Sequence, residues 1–252
     1  MLENTTILVT GAGGLLGSQV TAAILAQGAQ VIATDLNLAA MSARLAPLTN
    51  IDEPSLSLVE LDSTDEQAMQ QFFVQQQKIC GAVNCTYPRN KQYGAHFLDV
   101  SLASFNDNLS LHLGSSFLFI QQCAAQFIKQ QSPLSVVNIS SIYGVCAPKF
   151  SIYEKTPMTM PVEYAAIKSA LLHLGKYATS YVKDSRFRVN SVSPGGILDG
   201  QPEAFIAAYR EKTHGQGMLS PKDINGAIVF LLSAQAQYVT GQNIVIDDGF
   251  TL

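Results

Sequence analysis

The sequence predicts an α/β fold in which a single domain builds a doubly wound parallel sheet with helices on both faces. Two observations lead to this prediction. Short runs of β-branched and apolar residues alternate with amphipathic helical patterns along all 252 residues, and a glycine-rich turn follows the first run. No repeat, low-complexity linker or change of composition divides the chain, so residues 1–252 are predicted to form one domain.

Seven runs have the length and composition of strands: Thr5–Thr10, Gln30–Thr34, Leu56–Glu60, Ile79–Asn84, Ser135–Ile139, Phe187–Ser191 and Asn243–Asp247. Apolar residues at helical spacing predict helices over Leu15–Gln27, Leu36–Leu45, Asp65–Gln77, Phe105–Gln131 and Tyr164–Val182. Two segments, Cys146–Pro161 and Gly195–Leu219, fit neither pattern, and each follows a predicted strand. Because ligands bind outside the carboxyl ends of strands in open α/β sheets, we expect both segments to border a binding site.

The balance of residue types argues against several classes of function. The chain is 47% hydrophobic and 13% charged, which indicates a large core or buried subunit contacts. Its net charge is -4 with no basic run, so neither nucleic acid nor an acidic membrane is an expected partner. The four cysteines lack metal-site spacing, which indicates reduced thiols, no metal and a cytoplasmic protein. No signal-peptide pattern is found, and apolar stretches such as Ala227–Leu232 are too short to cross a bilayer.

The segment TGAGGLLG, from Thr10 to Gly17, follows the first strand and opens the first helix. Glycines at this spacing allow a tight turn, close approach of the backbone to a pyrophosphate, and close packing of helix on sheet. The helix N-terminus adds N–H donors and partial positive charge. The segment therefore predicts a dinucleotide site formed by Gly11, Gly14, Leu15, Leu16 and Gly17, although an ordinary turn would share this composition.

Asp35 ends the second strand, at the spacing expected for an acid that binds the adenosine ribose. Its carboxylate would accept hydrogen bonds from the ribose hydroxyls and would repel a 2′-phosphate. No arginine or lysine occurs before Arg44, so no cationic side chain in the first 43 residues could bind that phosphate. These observations favour NAD over NADP. The alternative is that Asp35 only caps the next helix.

Tyr164 and Lys168 lie four residues apart in a helical pattern and therefore share one helix face. A lysine ammonium at that spacing would lower the pKa of the tyrosine, which could then act as a general acid or base. Tyr143 and Tyr153 have no lysine at the same spacing. A hydroxyl of Ser140–Ser141, at the end of the fifth strand, could bind the substrate oxygen. The alternative is a solvated tyrosine–lysine pair, because this spacing also occurs by chance.

Five motifs in order, TGAGGLLG, NISS, YAAIK, VNSVSPGGI and YVTGQNIVIDDG, make the sequence resemble the short-chain dehydrogenase/reductases over essentially its whole length. The resemblance implies a single Rossmann domain with a seven-stranded parallel sheet, a nicotinamide cofactor, and a homodimer or homotetramer. It implies Tyr164 as catalytic acid/base, Lys168 as the group that holds the nicotinamide ribose, and Ser141 as the ligand of the reacting oxygen. The further cofactor contacts that it implies are Asp62 beside adenine, Asn84, and Pro194, Gly195 and Ile197 beside the nicotinamide.

The chain departs from the family pattern at several positions. Tyr87 replaces a glycine in NCTY, and His112 stands where the family has a fourth catalytic residue, an asparagine that supports a water relay to the lysine. His112 could join such a relay or could be a packed core histidine. The glycine loop is closer to that of the extended, nucleotide-sugar branch. Twenty-three positions separate Ser141 from Tyr164, more than in classical members, so Cys146–Pro161 is predicted to be an inserted active-site loop.

The inserted loop and the segment YPRNKQYG carry polar side chains that we expect at the mouth of the site. Gly195–Leu219 is expected to form a loop or helix on the substrate side. The two polar segments resemble a bacterial subgroup associated with flagellin modification and nonulosonic sugar pathways, which implies a small, polar, sugar-like substrate, free or phosphorylated. The predicted substrate contacts are Tyr87, Arg89, Tyr143, Lys149 and Tyr153.

Three functions remain open from the sequence. The first is an NAD(P)-dependent oxidoreductase that moves a hydride between nicotinamide and a carbinol or carbonyl carbon of a sugar or sugar phosphate. The second is an epimerase or dehydratase on the same scaffold, which would recycle its cofactor. The third is a non-catalytic nucleotide-sensing protein, for which the histidine at position 112 is the single supporting feature.

Overall fold

A seven-stranded parallel sheet forms the centre of the structure, a computed structural model that describes residues 1–252. The strands are β1 (Thr6–Thr10), β2 (Gln30–Asp35), β3 (Leu56–Glu60), β4 (Gly81–Asn84), β5 (Leu134–Ile139), β6 (Phe187–Pro194) and β7 (Asn243–Ile246). Their order is β3-β2-β1-β4-β5-β6-β7, and every neighbouring pair is parallel. The predicted fold class, a doubly wound seven-stranded parallel sheet, is confirmed.

The structure has eight α-helices: α1 (Leu15–Leu25), α2 (Leu38–Leu45), α3 (Glu66–Gln75), α4 (Leu102–Asn108), α5 (Ser115–Gln130), α6 (Val162–Val182), α7 (Glu203–Arg210) and α8 (Asn225–Leu232). Apolar side chains of α1, α2 and α8 pack on one face of the sheet, and those of α3, α5 and α6 pack on the other. Because both faces are covered, β4, β5 and β6 are buried along their whole length rather than at alternate positions. No helix combines the length and the hydropathy needed to cross a membrane.

Capping side chains explain why two helices begin later than the sequence pattern predicts. The Asn37 side chain accepts a hydrogen bond from the Ala40 N–H at 2.9 Å, and Asp65 accepts one from Ala68 at 3.0 Å. Both residues are therefore N-caps in extended conformation, outside α2 and α3. The helix predicted over Phe105–Gln131 is interrupted by a π-helical turn at Leu109–Gly114, which separates α4 from α5.

The sequence patterns did not locate two helices. Helix α7 lies inside Gly195–Leu219, the segment expected to form a loop or helix, where glycines at both ends obscured a single short amphipathic stretch. Helix α8 is so apolar that it lacks a polar face, because its residues pack between α1 and the sheet.

Candidate active site

A cavity of about 660 Å³ opens at the carboxyl ends of the strands, where the strand order reverses between β1 and β4. This is the switch point at which open α/β sheets bind their ligands. The loops after β1, β4, β5 and β6 contribute its walls, together with the insertion and α7. Of the predicted site residues, the walls include Gly11, Gly14, Leu15, Leu16, Asp35, Tyr87, Arg89, Ser141, Tyr143, Tyr153, Tyr164, Lys168, Pro194, Gly195 and Ile197.

The glycine loop leaves room along one wall because side chains are excluded from it. Gly11 has φ +71°, and a Cβ there would lie 2.7 Å from the Cys85 carbonyl oxygen. A Cβ on Gly17 would collide with the carbonyl of Gly11, so Gly17 packs α1 against the loop and does not face the cavity. Gly14 is the N-cap of α1, whose first N–H groups therefore lie beside the cavity. This wall fits a pyrophosphate.

Asp35 lies in the same cavity wall, at the end of β2. Its Oδ2 accepts a hydrogen bond from the Gly13 N–H at 2.8 Å, which holds the carboxylate beside the glycine loop. It is not a helix cap, because Asn37 caps α2. Arg44, in the last turn of α2, also lines the cavity, so this end of the site contains one carboxylate and one guanidinium.

Ser141, Tyr164 and Lys168 come together in the opposite part of the cavity. Ser141 follows β5 and accepts a hydrogen bond from the Tyr143 N–H at 3.1 Å, while Tyr164 and Lys168 occupy the first two turns of α6. The Lys168 Nζ donates to the Ile139 carbonyl oxygen at 2.7 Å and lies 5.4 Å from the centre of the Tyr164 ring. The one-turn spacing of a helix thus sets a lysine amine beside a phenol, next to a serine hydroxyl.

The pKa values of this group correct one expectation. Burial lowers the pKa of Lys168 to about 7, because a charged ammonium is poorly solvated there. Burial also raises the pKa of Tyr164, with the Ser141 hydroxyl opposing that effect through a hydrogen bond. Lys168 does not lower the tyrosine pKa in the protein alone, because its own desolvation favours the neutral amine.

His112 lies behind the lysine and is 2% exposed. Its Nε2 is 3.3 Å from the Lys168 Nζ, and the π-helical turn brings the imidazole to this position. Burial, together with the charges of Lys168 and Arg89, lowers the pKa of His112 to about 2. A neutral imidazole can accept a hydrogen bond from the lysine, so the histidine contacts the lysine as well as packing in the core.

Tyr87 covers this group from the side of β4. Its ring meets those of Tyr164 and His112 edge to face, with centroid distances of 5.7 and 5.0 Å. The guanidinium carbon of Arg89 lies 4.9 Å from the centre of the same ring. Tyr87, a predicted substrate contact, therefore forms one wall of the end of the cavity that holds Tyr164 and Lys168; its contacts with Tyr164 and His112 were not indicated by local sequence spacing.

The inserted loop contributes a different surface from the predicted one. Tyr153, Met158, Thr159 and Met160 line the cavity, whereas the polar Glu154 and Lys155 are exposed outside it. The Tyr153 and Tyr143 hydroxyls lie 3.2 Å apart. The Cys146–Pro161 loop therefore contributes an aromatic and thioether wall with a few hydroxyls rather than a charged one.

Lys149 is a correction to the predicted substrate contacts. Its ammonium donates a hydrogen bond to the Phe250 carbonyl at 2.5 Å and lies 4.5 Å from the Phe250 ring centre. It does not line the cavity. The long side chain attaches the insertion to the C-terminal segment, a contact between positions far apart in sequence.

Two predicted cofactor contacts also lie outside the cavity walls. Asp62 accepts hydrogen bonds from the N–H and hydroxyl of Thr64 at 2.8 and 2.6 Å, which closes the turn after β3. The Asn84 amide donates to the Ser116 hydroxyl at 3.2 Å and accepts from the Thr86 hydroxyl at 2.6 Å. In this structure both side chains hold loops beside the site.

Sequence reasoning missed the residues that the α7 segment contributes: Asp199, Gln201, Phe205, Tyr209 and Met218. The Tyr209 hydroxyl accepts a hydrogen bond from the Gly196 N–H at 2.7 Å, and its ring stacks on that of Phe250 at 4.5 Å. Two aromatic residues four apart in a short amphipathic stretch were the available signal. No group of three or more His, Cys, Asp and Glu side chains is arranged to hold a metal ion.

The fold and the cavity are those of an α/β oxidoreductase of the dinucleotide-binding class. Comparison of the chain with known proteins identifies its family. The profile of a family described as enoyl-(acyl carrier protein) reductase matches residues 11–251. The chain belongs to the short-chain dehydrogenase/reductase family and is an NAD(P)-dependent oxidoreductase.

Individual relatives cover the chain from end to end. It is 38% identical over 257 residues to the post-translational flagellin modification protein A of Campylobacter coli, with all of both chains covered. It is 25% identical to a 7alpha-hydroxysteroid dehydrogenase of Bacteroides fragilis, over 99% of this chain and 95% of that one. A short-chain dehydrogenase from Leptospira borgpetersenii, solved with bound NAD+, superposes with a TM-score of 0.88 at 29% identity, over 100% and 94% of the two chains.

Proposed function

We propose that this protein transfers a hydride between a nicotinamide cofactor and a carbinol or carbonyl carbon of a small, polar, sugar-like substrate. The observation that carries the proposal is that Ser141, Tyr164 and Lys168 share one cavity with the glycine loop. A reacting group in that cavity meets the hydroxyls, the amine and the cofactor wall together. The chain thus has the donors and acceptors that carbonyl reduction requires.

In the proposed mechanism, Tyr164 gives a proton to the substrate oxygen during reduction and takes it back during oxidation. The Ser141 hydroxyl binds the same oxygen and orients it toward the phenol. When Lys168 carries its proton, its positive charge stabilises the phenolate of Tyr164. The neutral His112, whose Nε2 lies 3.3 Å from the Lys168 Nζ, holds the lysine in position. The bound nicotinamide supplies the hydride chemistry.

The cofactor wall fits a dinucleotide. The space left by Gly11 and the α1 N-terminus suit its pyrophosphate, and Asp35 suits the adenosine ribose hydroxyls. We propose NAD as the preferred cofactor because the Asp35 carboxylate repels a 2′-phosphate. Arg44 in the same wall reduces that preference without reversing it, since Asp35 is held against the glycine loop and Arg44 lies on an exposed helix end.

A sugar-like substrate is supported by the cavity wall and by one relative. Tyrosine hydroxyls at Tyr143 and Tyr153 can hydrogen-bond to substrate hydroxyls, and the aromatic rings suit the apolar face of a sugar. The 38% identical relative is named for flagellin modification, which supports a role in a bacterial glycan-modification pathway. A dry, wholly apolar steroid slot would not need Arg89, Asp199 and Gln201 in its wall.

The test is a titration of the protein with NADH and with NADPH, followed by assays of sugars and sugar phosphates with each cofactor. We expect tighter binding of NADH and substrate-dependent formation or consumption of NADH. Absence of binding by both dinucleotides would refute the proposal. Conversion of a substrate without net change in NADH would instead indicate an epimerase or dehydratase that recycles its cofactor.

Replacing Asp35 with alanine tests the cofactor preference directly. We expect the affinity for NADH to fall roughly tenfold, because two hydrogen bonds to a charged group are lost, while affinity for NADPH falls less or rises. The matched control is Asp199→Ala, which removes a carboxylate from the substrate side of the same cavity. It should leave the ratio of NADH to NADPH affinity unchanged. An unaltered NADH to NADPH ratio in Asp35→Ala would remove Asp35 from the ribose site.

A further inference from the structure

Arg89 places a guanidinium in the cavity wall without a carboxylate partner. The single ion pair of the protein joins Arg186 to Asp184, far along the chain, and no acidic side chain lies within 4.0 Å of Arg89. The guanidinium instead lies over the Tyr87 ring, at 4.9 Å from its centroid. An arginine stacked on an aromatic ring keeps its five N–H donors free for a planar oxygen ligand.

The Arg89 guanidinium lies at the end of the cavity that holds Tyr164 and Lys168. The Tyr87 ring that carries it also contacts the rings of Tyr164 and His112. Arg89 and His112 therefore contact the same ring, at 4.9 and 5.0 Å from its centroid. The glycine loop, which suits the cofactor pyrophosphate, belongs to a different wall, and the guanidinium on the adenosine side is Arg44.

Asn90, the residue after Arg89, is held by several hydrogen bonds to α4. The Asn90 N–H donates to the Asn108 Oδ1 at 3.0 Å, and the Asn90 amide donates to Ser104 Oγ at 3.2 Å and Asp107 Oδ2 at 2.9 Å. Asn108 donates back to the Asn90 Oδ1 at 3.2 Å and reaches the buried Glu163 at 3.4 Å. The segment is thereby attached to α4 and, through Glu163, to α6.

We propose that the substrate carries an anionic oxygen group, a carboxylate or a phosphate monoester, that Arg89 binds while the carbinol or carbonyl carbon lies at Tyr164. The inference rests on the proposed function and names the chemical class of its substrate. Because the exposed guanidinium is unpaired and stacked on Tyr87, and its neighbour Asn90 is fixed to α4, Arg89 loses less freedom on binding an anion, so its charge-assisted hydrogen bonds add to affinity. One aromatic ring separates it from Tyr164, which suits a single monosaccharide with its anionic group at one end.

The experiment measures binding of three probes to the NADH-loaded protein by calorimetry: D-glucose 6-phosphate, D-glucuronate and neutral D-glucose. Inorganic phosphate is added as a competitor. The variant is Arg89→Met, which keeps a flexible side chain of similar length and removes the charge. The matched control is Lys91→Met, which removes the same charge from an exposed position in the same segment that does not line the cavity.

We expect the wild-type protein to prefer at least one anionic probe to D-glucose, and Arg89→Met to weaken that probe roughly tenfold or more. D-glucose and NADH affinities should change less than about twofold, and Lys91→Met should resemble the wild type. Preference for glucose 6-phosphate, with competition by inorganic phosphate, identifies a phosphate monoester; preference for glucuronate identifies a carboxylate.

Two results would overturn the inference. One is NADH binding without preference for either anionic probe, and the other is equal loss of anion affinity in the Arg89 and Lys91 variants, which would indicate general surface charge. Failure of the wild-type protein to bind NADH is a separate result, because it refutes the proposed function itself. The NADH titration that precedes each experiment therefore distinguishes the two failures.

Discussion

The Tyr164 hydroxyl is the group on which the proposed chemistry depends most directly. Replacing it with phenylalanine removes the proton donor and leaves the ring that contacts Tyr87. We expect Tyr164→Phe to lower turnover by roughly 10²–10⁴-fold, the usual contribution of a general acid or base, and to leave NADH affinity within a few-fold. Turnover is measured with the substrate found in the cofactor assays.

Tyr181 provides the matched control, since it belongs to the same helix and is 74% exposed. Tyr181→Phe should retain wild-type turnover. Near wild-type turnover in Tyr164→Phe would show that another group transfers the proton, and Tyr143 or Tyr153 would then have to be tested.

Lys168 makes the stability of the protein depend on pH. Burial lowers its pKa to about 7 from 10.5, so between these values the unfolded chain binds a proton that the folded chain does not. The contribution of Lys168 to the free energy of unfolding therefore rises with pH across this window and is lowest below pH 7, where the folded protein must bury the charge. We expect Lys168→Met to lose this rise in denaturant unfolding between pH 7 and 10.

The exposed Lys176 of the same helix gives the comparison. Lys176→Met should keep the wild-type slope of stability against pH, because an exposed ammonium is solvated equally in both states. A wild-type slope in Lys168→Met would mean that another group causes it, and that the lysine is protonated in the folded protein.

At the scale of single elements, the turn between β1 and α1 depends on the absence of a side chain at Gly17. A Cβ there would collide with the Gly11 carbonyl, and the backbone atoms of Gly11 and Ala12 cannot move without reshaping the loop. We expect Gly17→Ala to lower the free energy of unfolding by about 1–3 kcal/mol, as overpacking does. We also expect it to weaken NADH binding by roughly tenfold or more, because the loop is displaced. Denaturant unfolding and NADH titration measure both effects.

Gly226 in α8 is the control for this substitution. An added Cβ meets no atom within 4 Å there, so Gly226→Ala should stabilise the protein by about 0.5–1 kcal/mol and leave NADH binding unchanged. If Gly17→Ala bound NADH normally, the glycine loop would not be the pyrophosphate site.

At the scale of the whole molecule, exposed aromatic residues on α5 and α6 suggest how chains associate. Phe117 is 50% exposed, and Tyr177 and Tyr181 are 63% and 74% exposed with their rings stacked at 6.3 Å. Burial of these side chains would stabilise contact between two copies. We propose that the protein forms a homodimer or homotetramer through the outer faces of α5 and α6.

Sedimentation velocity tests this assembly. Tyr181→Asp, which adds a charge to the exposed pair, should shift the sedimenting species toward the monomer, whereas Val74→Asp, at a 73% exposed position on α3, should not. A monomeric wild-type protein would exclude the assembly. An oligomer that persists in Tyr181→Asp would mean that the chains contact each other elsewhere.

Local sequence determined much of this protein. All seven predicted runs became parallel strands; those at the centre of the sheet are buried on both faces, whereas the edge strands β3 and β7 are partly exposed. Glycines at short spacing located the turn after β1, and the four-residue spacing of Tyr164 and Lys168 located the phenol and amine on one helix face. These features depend on neighbours a few residues away, so the sequence shows them directly.

The tertiary structure decided the features that depend on residues distant in the chain. It directed Lys149 to the carbonyl of Phe250, brought His112 to Lys168 through a π-helical turn, and placed Tyr87 across the phenol of Tyr164. It also decided which residues of the predicted substrate-side segment, Gly195–Leu219, line the cavity, among them Phe205 and Tyr209 of α7. Each of these contacts joins segments that are distant in the chain and are brought together when helices and loops pack on the sheet. The periodicity of residues along the chain does not specify that packing.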